Sequence, residues 1–126
     1  MPPLRFVILR HDGIETPHFD CMFETSPGSD LLSFRSPIWP LAMGTELASL
    51  GDHRRAYLDY EGPVSNNRGH VRRVLSGTCE LAVAPAFPAR QWIKLLEPLR
   101  LSVQLENVVG PGNQATDAWR VVDLSA

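Results

Sequence analysis

Two histidines and an aspartate near the N-terminus, His11, His18 and Asp20, are the residues whose types and spacing first suggest chemistry. Residues 4–10 are β-rich. Residues 18–24 alternate strictly, with His18, Asp20, Met22 and Glu24 on one face and Phe19, Cys21 and Phe23 on the other. The segment between them holds Gly13 and Pro17 and reads as a loop. Pairing the two strands as a hairpin sets His11 beside His18, with Asp20 on the face of His18. Two imidazoles and a carboxylate at one sheet end form a ligand set for Mn²⁺, Fe²⁺ or Zn²⁺, with open positions for water or a substrate oxygen. A hydrogen-bonded surface cluster of the same three residues is the alternative.

A second group is Asp52-His53 with Tyr57, followed by Glu61-Gly62. If residues 53–59 make one or two helical turns, His53 and Tyr57, four apart, point the same way. An imidazolium and a phenol can then hold a phosphate between them. The alternative is a Tyr57 ring packed in the core with its hydroxyl partnered. Five of the eleven arginines, Arg54, Arg55, Arg68, Arg72 and Arg73, fall in one stretch, while the chain carries a net charge of −2. Any nucleic-acid contact must therefore rest on a local patch rather than bulk attraction, and a merely solvated face is the other reading of that stretch.

The elements that must position these groups are short. Eleven prolines and nine glycines punctuate the 126 residues, and 44% hydrophobic content suffices for one core, so a single β-rich domain over residues 1–126 is expected. Further strands are expected at residues 31–34 and 46–50. Residues 71–75 and 79–83 read as a hairpin across Ser76-Gly77-Thr78, and residues 99–108 and 119–124 as closing strands around a loop at 110–117. Residues 61–69 read as a loop and residues 91–96 as a helix. Cys21 and Cys79 have no metal-finger spacing and read as reduced, packed thiols. No apolar run approaches the ~20 residues of a membrane span and no secretory leader pattern is visible, so a cytoplasmic protein without a membrane partner is expected.

Taken in order, Arg10-His-Asp12, His18-Phe-Asp20 with Glu24, Leu32-Ser-Phe34 with Pro37 and Pro40, Asp52-His53 with Tyr57, Asp59-Tyr-Glu-Gly62, and Ser76-Gly-Thr78 with Glu80-Leu81 form one pattern. It resembles the 3′-phosphoesterase module of bacterial DNA ligase D, well over residues 5–83 and loosely beyond. The resemblance implies a small closed β-barrel of short antiparallel strands with one or two short flanking helices. It also implies a Mn²⁺-dependent enzyme (Zn²⁺ being another candidate ion) that removes 3′-ribonucleosides and 3′-phosphates during DNA end repair. Partners would be DNA 3′ ends or another phosphate ester, with separate ligase or polymerase chains beside it. The metal ligands fall on His11, His18 and Asp20, and the phosphate-contacting pair on His53 and Tyr57.

The chain also departs from the family. Met22 and Thr45 stand where the family has arginines, Ile38 stands for a lysine, and the loop after Glu61-Gly62 is shortened. Arg35, Arg54 or Arg55 are the candidates to supply the missing phosphate contacts. Two other readings stand beside the enzyme: a catalytically silent relative serving as a metal- or nucleic-acid-binding accessory module, and an unrelated cupin-like barrel using His18, Asp20 and Glu24.

Overall fold

The computed structural model describes residues 3–84 and 86–126. Nine strands follow in chain order: β1 (Leu4–Asp12), β2 (His18–Glu24), β3 (Leu31–Ser36), β4 (Glu46–His53), β5 (Gly62–Pro63), β6 (His70–Ala84), β7 (Arg90–Glu97), β8 (Leu101–Gly110) and β9 (Gln114–Ser125). Pairing runs β1-β2-β3-β4-β9-β8-β7-β6, and β6 returns to β1, closing an antiparallel eight-stranded barrel with β5 as an extra strand on β6. Closure removes the open edges an eight-stranded sheet would otherwise present. Two 3₁₀ turns, Arg55–Leu58 and Pro111–Asn113, take the place of the flanking helices. No helix among the described residues is long and apolar enough to cross a membrane.

The sequence alternation of β2 is reproduced in space. Phe6, Ile8, Cys21, Phe23, Phe34, Leu47 and Leu105 turn inward and fill the barrel, leaving a cavity of about 10 Å³ lined only by apolar side chains. The opposite face of β1 and β2 is also covered. Val7, Leu9, Met22, Leu31 and Val71 form a second buried cluster beneath Leu58, Tyr57 and Val64. Residues 54–69 thus make a flap over the outside of the barrel, anchored by Leu58 at 2% exposure. Burying a side chain of that size contributes roughly 1.5–3 kcal/mol.

Three expectations are corrected. Residues 91–96 are not a helix but the middle of β7, where Gln91, Ile93 and Leu95 are buried and Trp92 and Lys94 are not. Six residues are too few for a helical period to outweigh a two-residue one once strands flank both sides. Residues 71–83 are not a hairpin either. They run through one 15-residue strand whose first part pairs with β1 and whose last part pairs with β7. Gly77 serves a close crossing rather than a turn, because a Cβ there would lie 1.8 Å from the Glu97 carbonyl oxygen. Finally, His53 does not lie in a helical turn with Tyr57; it ends β4, and the 3₁₀ turn begins at Arg55.

Candidate metal centre and its surroundings

The β1–β2 hairpin does what its sequence suggests. His11 and His18 are direct cross-strand partners, as are Leu9 and Asp20, so both histidines and the aspartate share the outer face. The two rings stand 5.0 Å apart at 70°. His11 Nδ1 lies 3.6 Å from one Asp20 carboxylate oxygen, and His18 Nε2 lies 3.3 Å from the other. One donor atom from each residue lies within 4.8 Å of the others. Ligands held about 2.1 Å from a common metal are themselves about 3.0–3.4 Å apart at octahedral or tetrahedral angles; the 3.3 Å spacing lies in that range, and the wider ones would have to close around an ion.

The backbone sets the direction of each ring. The Arg68 carbonyl accepts a hydrogen bond from His11 Nε2 at 2.7 Å, and the Thr16 carbonyl accepts one from His18 Nδ1 at 2.9 Å. A carbonyl only accepts, so each outer nitrogen must carry the hydrogen. In the neutral rings the lone pairs of His11 Nδ1 and His18 Nε2 therefore face the Asp20 carboxylate. His18 Nε2 and Asp20 Oδ1 are buried and, despite their 3.3 Å separation, are not aligned as a hydrogen bond, so both lack a partner. Acceptors crowded around a buried carboxylate are unfavourable by themselves and are satisfied by a cation between them. The donor set and its two orphaned atoms fit a divalent metal, with the backbone carbonyls orienting the imidazoles as such sites require.

Arg68 reaches His11 through a small hairpin. Gly62 and Pro63 pair with Val71 and His70, the Val64 N–H donates to the Gly69 carbonyl, and Asn66 and Asn67 adopt φ of 63° and 54°. Two successive left-handed residues form a tight primed turn, for which asparagine is suited. Gly69 then has φ +73°, and a Cβ there would come 2.0 Å from the Asp12 carbonyl oxygen. Only glycine lets this segment lie directly against the end of β1.

The second pair of residues is assembled separately. His53 and Tyr57 rings are 5.9 Å apart at 70°, and His53 Nδ1 bonds to the Gly51 carbonyl at 3.0 Å. His53 pairs with Leu31, which pairs with Glu24, whereas Asp20 lies four residues back along β2. At ~3.3 Å per residue this is about 13 Å along the strand direction. The Tyr57 ring packs against the second cluster, as the packed alternative expects, but its hydroxyl has no bonded partner among the described residues.

The arginines divide. Arg35 is the cross-strand partner of Asp20, exposed on the same face, with no ion pair among the described residues. Arg54 is also exposed and without an ion pair among them. Arg55 is engaged: its guanidinium donates to Glu24 at 2.7 Å and to the Ser29 carbonyl at 3.1 Å. Arg68 bonds to Ser65 within its own turn. Burial pushes the Glu24 carboxyl up, but hydrogen bonds from Arg55 and from the backbone N–H groups of Arg5 and Gly28 outweigh it and hold the group below the usual carboxylate range. Glu24 is thus a structural acceptor at the far end of β2 from His18. Met22 is 1% exposed inside the second cluster, and Thr45 caps the turn before β4 by accepting the Ala42 N–H. Burial drives both thiols, Cys21 and Cys79, up to about 12.

Sequence reasoning missed the Arg68 and Thr16 carbonyls, because every residue carries one and no side-chain type marks them. The Asn-Asn and Arg-Gly dipeptides were the available signals of a turn. It also gave Tyr60 no role, although its ring stands 6.0 Å from Tyr57 at 86°. Compared with known proteins, the chain matches no family model and no curated protein.

Proposed function

We propose that this protein is a metal-dependent phosphoesterase whose metal is held by His11, His18 and Asp20 and whose substrate is a phosphate ester at a 3′ end of DNA. One observation carries the reading: two imidazoles, each pinned at its outer nitrogen by a backbone carbonyl, aim their lone pairs at a buried carboxylate that has an unpartnered oxygen. When bound, a Mn²⁺ or Zn²⁺ ion supplies Lewis acidity toward a phosphoryl oxygen and acidifies water. Arg35, beside Asp20 on the open face, offsets charge on the phosphoryl group. In this reading His53 Nε2 and the Tyr57 hydroxyl, neither with a bonded partner among the described residues, contact phosphate oxygens farther along the substrate, which the closeness of the two rings supports. The choice of a DNA 3′ end rests on the motif order that resembles the ligase D phosphoesterases.

The test is a primer-template ending in a 3′-phosphate or a 3′-ribonucleotide, incubated with Mn²⁺ and with chelator. Metal-dependent appearance of a 3′-OH, abolished in His18→Ala, is the expected result. A second reading, a metal-binding accessory module, is favoured by the burial of Met22 where the family has an arginine and by the engagement of Arg55 with Glu24. Intact 3′ ends with undiminished metal binding would establish that reading instead.

A further inference from the structure

Between the 3₁₀ turn Arg55–Leu58 and the β5–β6 hairpin lies a pocket of about 270 Å³, lined by Arg54, Tyr57, Tyr60, Pro63, Val64 and Ser65 among others. Its walls mix apolar and aromatic surface with polar groups, and Arg54 is the one charged residue in the lining among the described residues. Tyr57 and Tyr60 meet nearly at right angles, 86° with centroids 6.0 Å apart. A planar heterocycle laid flat on one ring meets the other edge-on, and both contacts are favourable for aromatic groups.

The corner is held in place before anything enters it. Tyr60 donates its hydroxyl hydrogen to the Pro63 carbonyl, and Gly62, at φ +135°, leaves room for that hydroxyl because a Cβ would lie 3.3 Å from it. Tyr57 packs on the buried cluster below and against His53. Rings fixed in this way lose little freedom when a ligand stacks on them. Arg54 is fixed at its backbone, where its carbonyl accepts the Tyr57 N–H at 3.1 Å, while its side chain makes no ion pair among the described residues. A cation at the rim and no acidic residue in the lining disfavour an ammonium ligand, which two tyrosines could otherwise cage. Bare phosphate would leave the aromatic corner unused. A planar base joined to a phosphate uses both.

We propose that this pocket binds a single nucleotide, with its base against Tyr60 and Tyr57 and its 5′-phosphate at Arg54, leaving its 3′ end free for the metal centre. The assignment deepens the phosphoesterase reading and rests on it for the source of the nucleotide, the terminal unit of a strand. The hairpin that forms one wall also carries the Arg68 carbonyl that orients His11, so the pocket and the metal centre share one structural support. The stacking itself needs no metal.

Binding is therefore measured with chelator present, by calorimetry or tyrosine fluorescence, using deoxyadenosine 5′-monophosphate, deoxyadenosine and a short single strand with a 3′-phosphate. Tyr60→Ala is expected to weaken nucleotide binding about 10-fold or more, Tyr60→Phe to retain it, and Arg54→Ala to weaken the monophosphate but not the nucleoside. Tyr60 is 37% exposed and Arg54 is exposed, so the folded state should survive, and circular dichroism checks that. A strand that binds at least as tightly as the mononucleotide supports the terminal-unit assignment. Preference for the free mononucleotide overturns it. Equal binding by wild type, Tyr60→Ala and Arg54→Ala, or no binding by any of the three probes, overturns the pocket itself. His18→Ala should bind nucleotide normally in chelator, so failure here and failure of the metal centre are separable.

Discussion

The Arg68 carbonyl accepts a hydrogen bond from His11 Nε2 at 2.7 Å across 57 residues of sequence, and this contact turns the other ring nitrogen toward Asp20. It is made possible by Gly69, whose backbone touches the end of β1. Gly69→Ala introduces both a left-handed alanine and a Cβ 2.0 Å from the Asp12 oxygen. The expected cost is about 1–3 kcal/mol of stability, from the strained backbone alone or more with the clash. Metal affinity should fall about 10-fold as His11 loses its orienting acceptor. Urea unfolding and metal titration of the purified variant check the two effects separately.

Met22 is a packing residue, although it shares the strand face of His18 and Asp20. It sits at 1% exposure between Val7 and Ser33, beneath the flap of residues 54–69. Met22→Arg buries a charge with no carboxylate assigned to it and should destabilise by about 3 kcal/mol or more. It is not expected to create a phosphate contact. Arg35→Ala, on the exposed side of Asp20, should leave the unfolding midpoint nearly unchanged while lowering turnover of a 3′-phosphate substrate. Denaturation midpoints for the two variants, measured side by side, decide the matter.

Glu24 gives the fold a defined acid sensitivity. Its pKa in the folded state is held below its unfolded value of ~4.3, so its contribution is fully present above that value and is lost as pH falls through the folded-state pKa. Wild type should therefore lose stability steadily below about pH 4. Glu24→Gln should be less stable at pH 7, because the Arg55 pairing is lost, and should show a shallower fall in acid. Unfolding curves at pH 7, 4 and 3 for both proteins test the difference in slope.

Much of the barrel was legible because β1 is β-rich and β2 alternates strictly, and pairing the two as a hairpin placed His11, His18 and Asp20 on one face. Where the sequence misled, a local signal had a second physical cause. Gly77 looks like a turn glycine but is required by the close approach of the Glu97 carbonyl from a strand twenty residues on. Residues 91–96 hold good helix formers, yet the barrel decides their state by pairing them on both sides with β6 and β8. His53 and Tyr57 do come together, but through the end of a strand and a 3₁₀ turn rather than a shared helical face. The orienting carbonyls of the candidate site are backbone atoms, and only the folded chain reveals which of them meet a histidine.

Whether His11, His18 and Asp20 hold a divalent ion is decided by calorimetric titration of Mn²⁺ and Zn²⁺ into chelator-stripped wild type and His18→Ala. Wild type should bind one ion per chain, and its melting temperature should rise with metal, by a stabilisation of about 2.7 kcal/mol when the free ion is at 100 times the dissociation constant. His18→Ala should bind at least tenfold more weakly and show no such rise. Equal binding by the two proteins, or no binding by wild type, would rule out a metal site at these residues.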